Sequence, residues 1–290
     1  MRARIAGCLA VVVVAAVVVA GATSAGSTRL GGWIVYWSEN PRPSIRAVRP
    51  DGSKNHLILQ TRQNAKRPRL SPDTTWVAFD GTPPGKPPFS DFDIQLVRLD
   101  GGGLRALTDT ADWDVDGQWS RDGAWLAFTR SPPSPQGCGG SSIWIMRADG
   151  SDPRRVVAGC GARWSPDGSQ LVYTGPIGQR LLVVDRGGGV RTLLRTPRAF
   201  LQAAGWSPDG KRILFTRTGD QTGLSGSVYV INADGTGARR LGRGFAACWS
   251  PDGSKILYTT SFSSPLYVMD RDGTHKRRIA SIKASEPDWR

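Results

Sequence analysis

One tight turn recurs along this chain and restricts what it can fold into. Ser-Pro-Asp-Gly stands at Ser165–Gly168, Ser207–Gly210 and Ser250–Gly253, with altered copies at Ser71–Thr74 and Ser120–Gly123. The residue just ahead of the turn is Leu70, then Trp119, Trp164, Trp206 and Trp249. Within the turn, Pro presets φ, Asp can bond back to the backbone, and Gly takes the positive-φ position. Each turn leads into an aliphatic run with an aromatic near its end: Val77-Ala78-Phe79, Leu126-Ala127-Phe128, Leu171-Val172-Tyr173, Ile213-Leu214-Phe215 and Ile256-Leu257-Tyr258. A sixth copy, Ile34-Val35-Tyr36, has no turn of its own. A third strand follows in every unit, from Ile45–Val48 through to Leu266–Met269, and then a basic-apolar strand such as Arg105-Ala106-Leu107 or Arg277-Arg278-Ile279.

Four short strands per unit, repeating every 42 to 49 residues, are the pattern of a propeller and fit neither a sandwich nor a barrel. The 258 residues from Trp33 to Arg290 allow 43 per unit for six units, whereas seven would need roughly 300. The expectation is therefore an all-β, six-bladed β-propeller of four-stranded antiparallel blades. The chain stops at Glu286-Pro287-Asp288-Trp289, a lead-in without its turn, and the first unit begins at its second strand. Pairing of the N- and C-terminal strands in one blade would close the ring and remove an open sheet edge. Runs such as Ile256-Leu257-Tyr258 are apolar on successive residues, so both faces of that strand must be covered.

The N-terminus reads differently. Arg2 and Arg4 precede an uncharged apolar run from Ile5 to Ala22, followed by small polar residues, which is the layout of a secretory leader. Residues 1–25 are read as a signal peptide, with an uncleaved anchor as the alternative, 26–32 as a short linker and 33–290 as the propeller. Ile5-Ala6-Gly7-Cys8 spells a lipidation box but precedes most of the apolar run that should come before it. The formal charge of +14 is spread in pairs such as Arg154-Arg155, Arg239-Arg240 and Arg277-Arg278, each just after an Asp-Gly turn. Charge locked to a repeat keeps a sheet edge soluble; a nucleic-acid surface would concentrate it on one side among aromatic residues. Nucleic acid is not expected as a partner, and membrane contact is expected only through an uncleaved leader.

Trp-Ser-Pro-Asp-Gly, the aliphatic-aromatic strand, Val228–Gly235 and Arg239-Arg240-Leu241 together resemble the WD-like propeller repeat of the TolB family, over about 258 residues. The resemblance implies a periplasmic, non-enzymatic protein that binds protein partners at the propeller. TolB also carries a separate N-terminal domain, for which the stretch ahead of Trp33 leaves no room, so a stand-alone relative is expected. The same repeat accompanies prolyl-oligopeptidase-like peptidases, whose hydrolase domain has no counterpart here.

Chemistry-bearing motifs are sparse. The nucleophile elbow Gly-x-Ser-x-Gly is absent. His56 and His275, the two possible histidine bases, sit just beyond Asp-Gly turns where solvent-facing residues are expected. Asp112-Trp113-Asp114-Val115-Asp116-Gly117 begins like a calcium loop, but Gly123 occupies the place of its bidentate Glu. Asp112, Asp114 and Asp116 are weak metal candidates, with an acidic loop at the channel mouth as the other reading. No cofactor is otherwise expected. Loop lengths vary on one face only: Asp80–Asp93, Arg130–Ser142 and Thr216–Ser227 are expanded, and Thr108–Gln118 adds acidic character. Variable loops on a rigid scaffold carry recognition, so Phe89, Asp91, Phe92, Asp93, Trp113, Asp114, Asp116 and Glu286 form the expected binding face for a protein or cell-envelope component. The alternative is a propeller enzyme acting on a small ligand or carbohydrate with channel-mouth carboxylates. Cys138 and Cys160 lie on the same variable face and are the expected disulfide, leaving Cys248 as a buried thiol.

Overall fold

A computed structural model describes residues 31–39, 42–60, 65–83, 85–87, 91–133, 137–219, 226–261 and 263–290. The leader, linker residues 26–30 and Phe89 lie outside the described residues. Every regular element within them is a β-strand, and the strands form an all-β propeller around a central lumen.

Four sheets are four-stranded antiparallel meanders. The first holds Lys66–Leu70, Trp76–Gly81, Asp93–Arg98 and Arg105–Ala106, and the second Trp113–Trp119, Trp125–Ser131, Ser142–Arg147 and Arg154–Ala158. The third holds Cys160–Trp164, Gln170–Thr174, Arg180–Asp185 and Val190–Arg195, and the fourth Phe200–Trp206, Arg212–Thr218, Gly226–Asn232 and Arg239–Arg243. In each, the first strand lies innermost and ends at the Leu or Trp that precedes the tight turn.

The expectation of six four-stranded blades does not hold: there are four such sheets, and the remaining strands merge into a single seven-stranded one. Its order is Phe245–Trp249, Lys255–Thr259, Ser264–Asp270, Arg277–Trp289, Ile34–Ser38, Ser44–Val48 and His56–Gln60. Arg277–Trp289 runs 13 residues. It pairs with Ser264–Asp270 up to Ala284 and with Ile34–Ser38 from Ser285 to Trp289. The reason lies in the links. Two links step from one sheet to the next at a single glycine, Gly159 at φ 139° and Gly244 at φ 146°, conformations that L side chains rarely adopt; the links 107–112 and 196–199 carry Asp or Pro instead. Between Arg277 and Ser285 there is no Gly, Pro, Asn or Asp, so nothing interrupts the strand. Beyond its end, Trp33 and Arg290 exchange backbone hydrogen bonds of 2.5 and 3.0 Å.

The core lies between neighbouring sheets. Val35 and Ile45 pack with Leu70 and Phe79, Ala78 and Leu96 with Trp119 and Phe128, and Val172 and Leu181 with Ile213 and Phe215. Phe215, Phe128 and Tyr36 are at most 1% exposed, so each buried aromatic supplies roughly 1.5–3 kcal/mol. The repeat-locked arginines also bridge sheets: Arg191 donates to the Ala233 carbonyl at 3.0 Å and Arg239 to that of Asp272 at 2.9 Å.

The tight turn works as a small hydrogen-bonded unit. In the fourth sheet Ser207 Oγ donates to Asp209 at 2.5 Å and accepts the Arg212 N–H at 2.9 Å, while Asp209 accepts the Lys211 N–H at 3.0 Å. The serine hydroxyl holds the carboxyls of Asp73, Asp122, Asp167 and Asp209 below their ordinary 3.8. A depressed carboxyl stabilises the fold above its unfolded value and loses that contribution as pH falls through the folded one. Asp209→Ala is therefore expected to cost about 1 kcal/mol at neutral pH and to have a smaller effect in acid. Urea unfolding at both pH values checks this; an equal loss in acid would reject the charged-acceptor account.

Candidate functional site

Each inner strand carries a register shift ahead of its Leu or Trp, between Lys66 and Arg69, Val115 and Gln118, Cys160 and Arg163, Ala203 and Gly205, and Phe245 and Cys248. The residue three before that Leu or Trp is Arg67, Asp116, Gly161, Ala203, Ala246 or Glu286. Five of these have positive φ, between 47° and 67°. A bulge of this kind bends the strand and re-aims a side chain, here toward the lumen. It also frees an N–H that needs an acceptor.

The acceptor comes from the neighbouring sheet. Thr129 Oγ1 takes the Gly161 N–H at 3.0 Å and Thr174 Oγ1 the Ala203 N–H at 3.2 Å. Both threonines directly follow the aromatic of the second strand, as do Thr216 and Thr259. Asp80 follows Phe79 in their place, and its Oδ1 accepts the Asp116 N–H at 3.1 Å. Glu286 Oε2 accepts the Arg67 N–H at 3.0 Å. At Asp80 a carboxylate has replaced the hydroxyl, and Glu286, itself a bulge residue, supplies the acceptor in the copy where Trp37 follows the aromatic.

Arginines gather around those carboxylates. Arg67 donates to Asp80 Oδ2 at 2.8 Å and its Nε lies 3.6 Å from Glu286. Asp116 sits between two guanidiniums, Arg163 at 2.7 Å and Arg69 at 3.3 Å, whose side chains are each 11% exposed. Gln118 donates to Asp116 at 3.3 Å, and Asp288 accepts the Leu70 N–H at 3.0 Å. Burial pushes the Asp80 carboxyl up to about 6, with Glu286 and Asp116 adding to the rise against the pull of Arg67. Burial also raises Asp116, but Arg163, Arg69 and Arg67 outweigh it and hold that carboxyl below its ordinary value. Burial lowers Arg163 relative to an ordinary guanidinium.

The opposite wall is stripped down. Ala203-Ala204-Gly205 and Ala246-Ala247-Cys248 stand where the other inner strands carry charge, and a cavity of about 250 Å³ lies between the two walls. The Cys248 thiol is pushed up to about 12 by burial, so it is protonated at neutral pH. Through Arg67, Asp116 and Gln202 the cavity continues into a cleft of about 510 Å³ on the long-loop face. One side of the cleft is the Cys138–Cys160 disulfide, with Cα atoms 5.4 Å apart. The other is the Pro176-Ile177-Gly178 turn, where Ile177 is 61% exposed. At the far mouth a cavity of about 390 Å³ is walled by the repeat tryptophans and turn prolines.

Of the residues expected on the binding face, Asp116 and Glu286 line the lumen. The rest of the described ones tie loops to the sheets. Phe92, 8% exposed, meets Trp113 edge-to-face at 4.9 Å. Asp114 is fully buried in a two-pronged pair with Arg130 at 2.7 and 2.8 Å. Lys86 Nζ gathers Asp91 at 2.7 Å, Asp109 at 2.6 Å and Asp93 at 3.8 Å. Asp112 is exposed, and its carbonyl accepts the Thr110 hydroxyl at 3.1 Å. Trp113–Trp119 is a strand, so Asp114 and Asp116 point to separate arginines and the three acids share no centre. Among the described residues no group of three or more His, Cys, Asp or Glu is placed to hold a metal ion. His56 contacts Trp33, His275 pairs with Asp270, and neither lines these cavities. Arg67, Arg69, Asp80 and Arg163 went unread in the sequence. Their signal was the broken pattern: Asp after an aromatic where four copies have Thr.

No family model matches the chain, and no match was found among curated proteins. Solved structures do resemble it. TolB from Acinetobacter baumannii aligns with a TM-score of 0.73 at 22% identity, covering 89% of this chain and 66% of that one. A putative TolB from Agrobacterium tumefaciens gives 0.61 at 18% identity, covering 86% and 87%. An oligogalacturonate lyase in complex with manganese gives 0.59 at 13%, covering 88% and 75%. The chain thus has the propeller arrangement of TolB-type repeats, and at these identities the likeness is one of fold.

Asp80→Thr restores the repeat residue, keeping an acceptor for the Asp116 N–H while removing a charge. Asp80 has a folded value above the ordinary 3.8, so its contribution to stability is full below 3.8 and is lost as pH rises through about 6. The variant is expected to fold, and to gain on the wild type by on the order of 2–3 kcal/mol as pH rises across that window. Arg67 is 36% exposed and keeps Glu286, so its lost partner costs less than the 3–5 kcal/mol or so of a fully buried pair. Parallel stability-against-pH curves would show that Asp80 does not titrate in this range.

Proposed function

We propose that the chain is a non-catalytic, exported binding scaffold that receives a protein or another cell-envelope component at the long-loop face of its lumen. The observation that carries this reading is the asymmetry of the lumen. Four-stranded sheets and their turns repeat faithfully, yet Asp80 departs from the Thr of four copies and meets Arg67, Arg69, Asp116, Arg163 and Glu286, at inner-strand positions that differ from copy to copy, in one network. Facing them, Ala203, Ala204, Ala246 and Ala247 leave open space. A rigid ring with one individualised wall suits recognition. The leader-like N-terminus supports export, and the TolB-type fold supports a protein partner.

Asp80 favours one competing reading, that of an enzyme acting on a carbohydrate or small ligand. A carboxyl near 6 is in the range useful to a general acid. But Asp80 is fully buried behind Arg67 and lines neither cavity, out of hydrogen-bond reach of a ligand there.

Photo-crosslinking in the native envelope tests the scaffold reading. A photoreactive residue at Gln202 or Ile177, both exposed beside the lumen and cleft, is expected to give the same adduct, and one at Lys211 on the tight-turn face none. Adducts of equal yield at Lys211, or none at either of the other sites, would overturn it.

A further inference from the structure

The lumen is richer in hydrogen-bond donors than in acceptors, and the surplus faces open space. An arginine offers five N–H donors and no acceptor. Arg163 makes both its bonds, to Asp116 at 2.7 Å and to the Ala162 carbonyl at 2.9 Å, through one terminal nitrogen. Its other two nitrogens have no partner among the described residues, although the side chain borders both lumen cavities. Arg67 uses one terminal nitrogen on Asp80 and turns Nε toward Glu286. Lys66, also on the cavity, meets the Trp37 ring at 5.7 Å and no carboxylate among the described residues.

The acidic groups nearby are committed elsewhere. Glu286 is held by the Arg67 N–H, Asp80 by that of Asp116, and Asp288 by that of Leu70. One oxygen of each ties inner strands together, and on the cavity wall Lys66, Arg67, Arg69 and Arg163 outnumber Asp116, Glu286 and Asp288. A buried donor-rich surface of this kind recognises an anion with several acceptor sites, and the planar fork of Arg fits a carboxylate.

We infer that the lumen takes a carboxylate: the protein segment captured at the long-loop face places an acidic side chain against Arg163 and Arg67, with its apolar neighbours in the cleft beside Ile177. The inference rests on the scaffold reading and names the chemistry of its partner. Shape favours a side chain on a segment: the cavity of about 250 Å³ holds the arginines and opens into the cleft of about 510 Å³ bordered by Ile177, Phe200 and Leu201, so a carboxylate in the one can be joined to apolar neighbours in the other. Ala203 and Ala246 provide the room, since any larger side chain there would fill it.

Short fluorescein-labelled peptides carrying one Leu and one Glu in a Gly/Ser frame, and the same peptides with Gln for Glu, test the inference by fluorescence anisotropy. The Glu peptides should bind about tenfold more tightly, the value of one desolvated charge pair. Arg163→Gln should erase that preference, whereas Arg154→Gln, on an exposed outer strand, should leave it intact. Ala246→Asp adds a carboxylate to the cavity at φ 47°, a conformation Asp tolerates, and should reverse the preference. If Arg163→Gln does not fold, Ala246→Asp decides. Equal binding of Glu and Gln peptides, or equal loss with Arg154→Gln, would overturn the inference. So would binding of digalacturonate where the peptides do not bind, which would assign the site to acidic saccharide. Loss of the Glu preference with the Gln202 adduct intact would remove this inference and leave the scaffold standing.

Discussion

The structure depends on a hydrogen bond that neither strand pairing nor the tight turns provide. A bulge frees one N–H on each inner strand, and in four places the described residues show how it is met: by Thr129, Thr174, Asp80 or Glu286 from an adjoining strand system. An unmet buried N–H costs about 1–3 kcal/mol. These bonds therefore set the angle at which sheets meet as well as holding them together. Apolar packing between sheets is non-directional and would tolerate sliding; the bulge bond does not.

Because a threonine hydroxyl suffices for this task, the acidic replacements need a separate explanation. Asp80 accepts the same N–H as a threonine would, but it brings a charge that is fully buried. Arg67 answers it, Glu286 shares Arg67, and Asp116 is clasped by Arg69 and Arg163. Buried ion pairs seldom out-stabilise well-packed neutral groups once desolvation is counted. In a chain that already uses the neutral solution at Thr129 and Thr174, the charged one is a departure that stability alone does not account for.

Legibility in the sequence followed the same division. The Ser-Pro-Asp-Gly turns, the aliphatic-aromatic strands and their spacing were readable because each is a local signal with a local cause. The sheet count was misjudged where a local signal was missing: with no Gly, Pro, Asn or Asp between Arg277 and Ser285, one strand serves two repeats and a seven-stranded sheet results. The acidic segment around Asp112 looked like a loop because of its charge, yet Trp113–Trp119 is a strand whose acids are matched by Arg130, Arg69 and Arg163. Those partners lie 16 to 47 residues away, beyond the reach of any spacing rule. Asp80 was legible in principle, as the one acidic residue among threonines that follow an aromatic, but only by aligning the repeats and asking which copy differs.

That question has physical content in any ring of repeats. Each unit meets the same backbone demands, so a shared residue answers to the fold and a divergent one is released from it. Here the divergent residues are not scattered. Charged residues cluster on the inner strands Lys66–Leu70, Trp113–Trp119, Cys160–Trp164 and the end of Arg277–Trp289, while reductions to alanine and glycine cluster on Phe200–Trp206 and Phe245–Trp249. Either change alone would unbalance the lumen, by crowding it with charge or by leaving a dry void. Together they make a cavity with a donor-bearing wall and a yielding one, in which a guanidinium keeps unused N–H groups without being fully desolvated. Such an arrangement leaves both the room and the unused donors that an entering carboxylate, as proposed above, would take up.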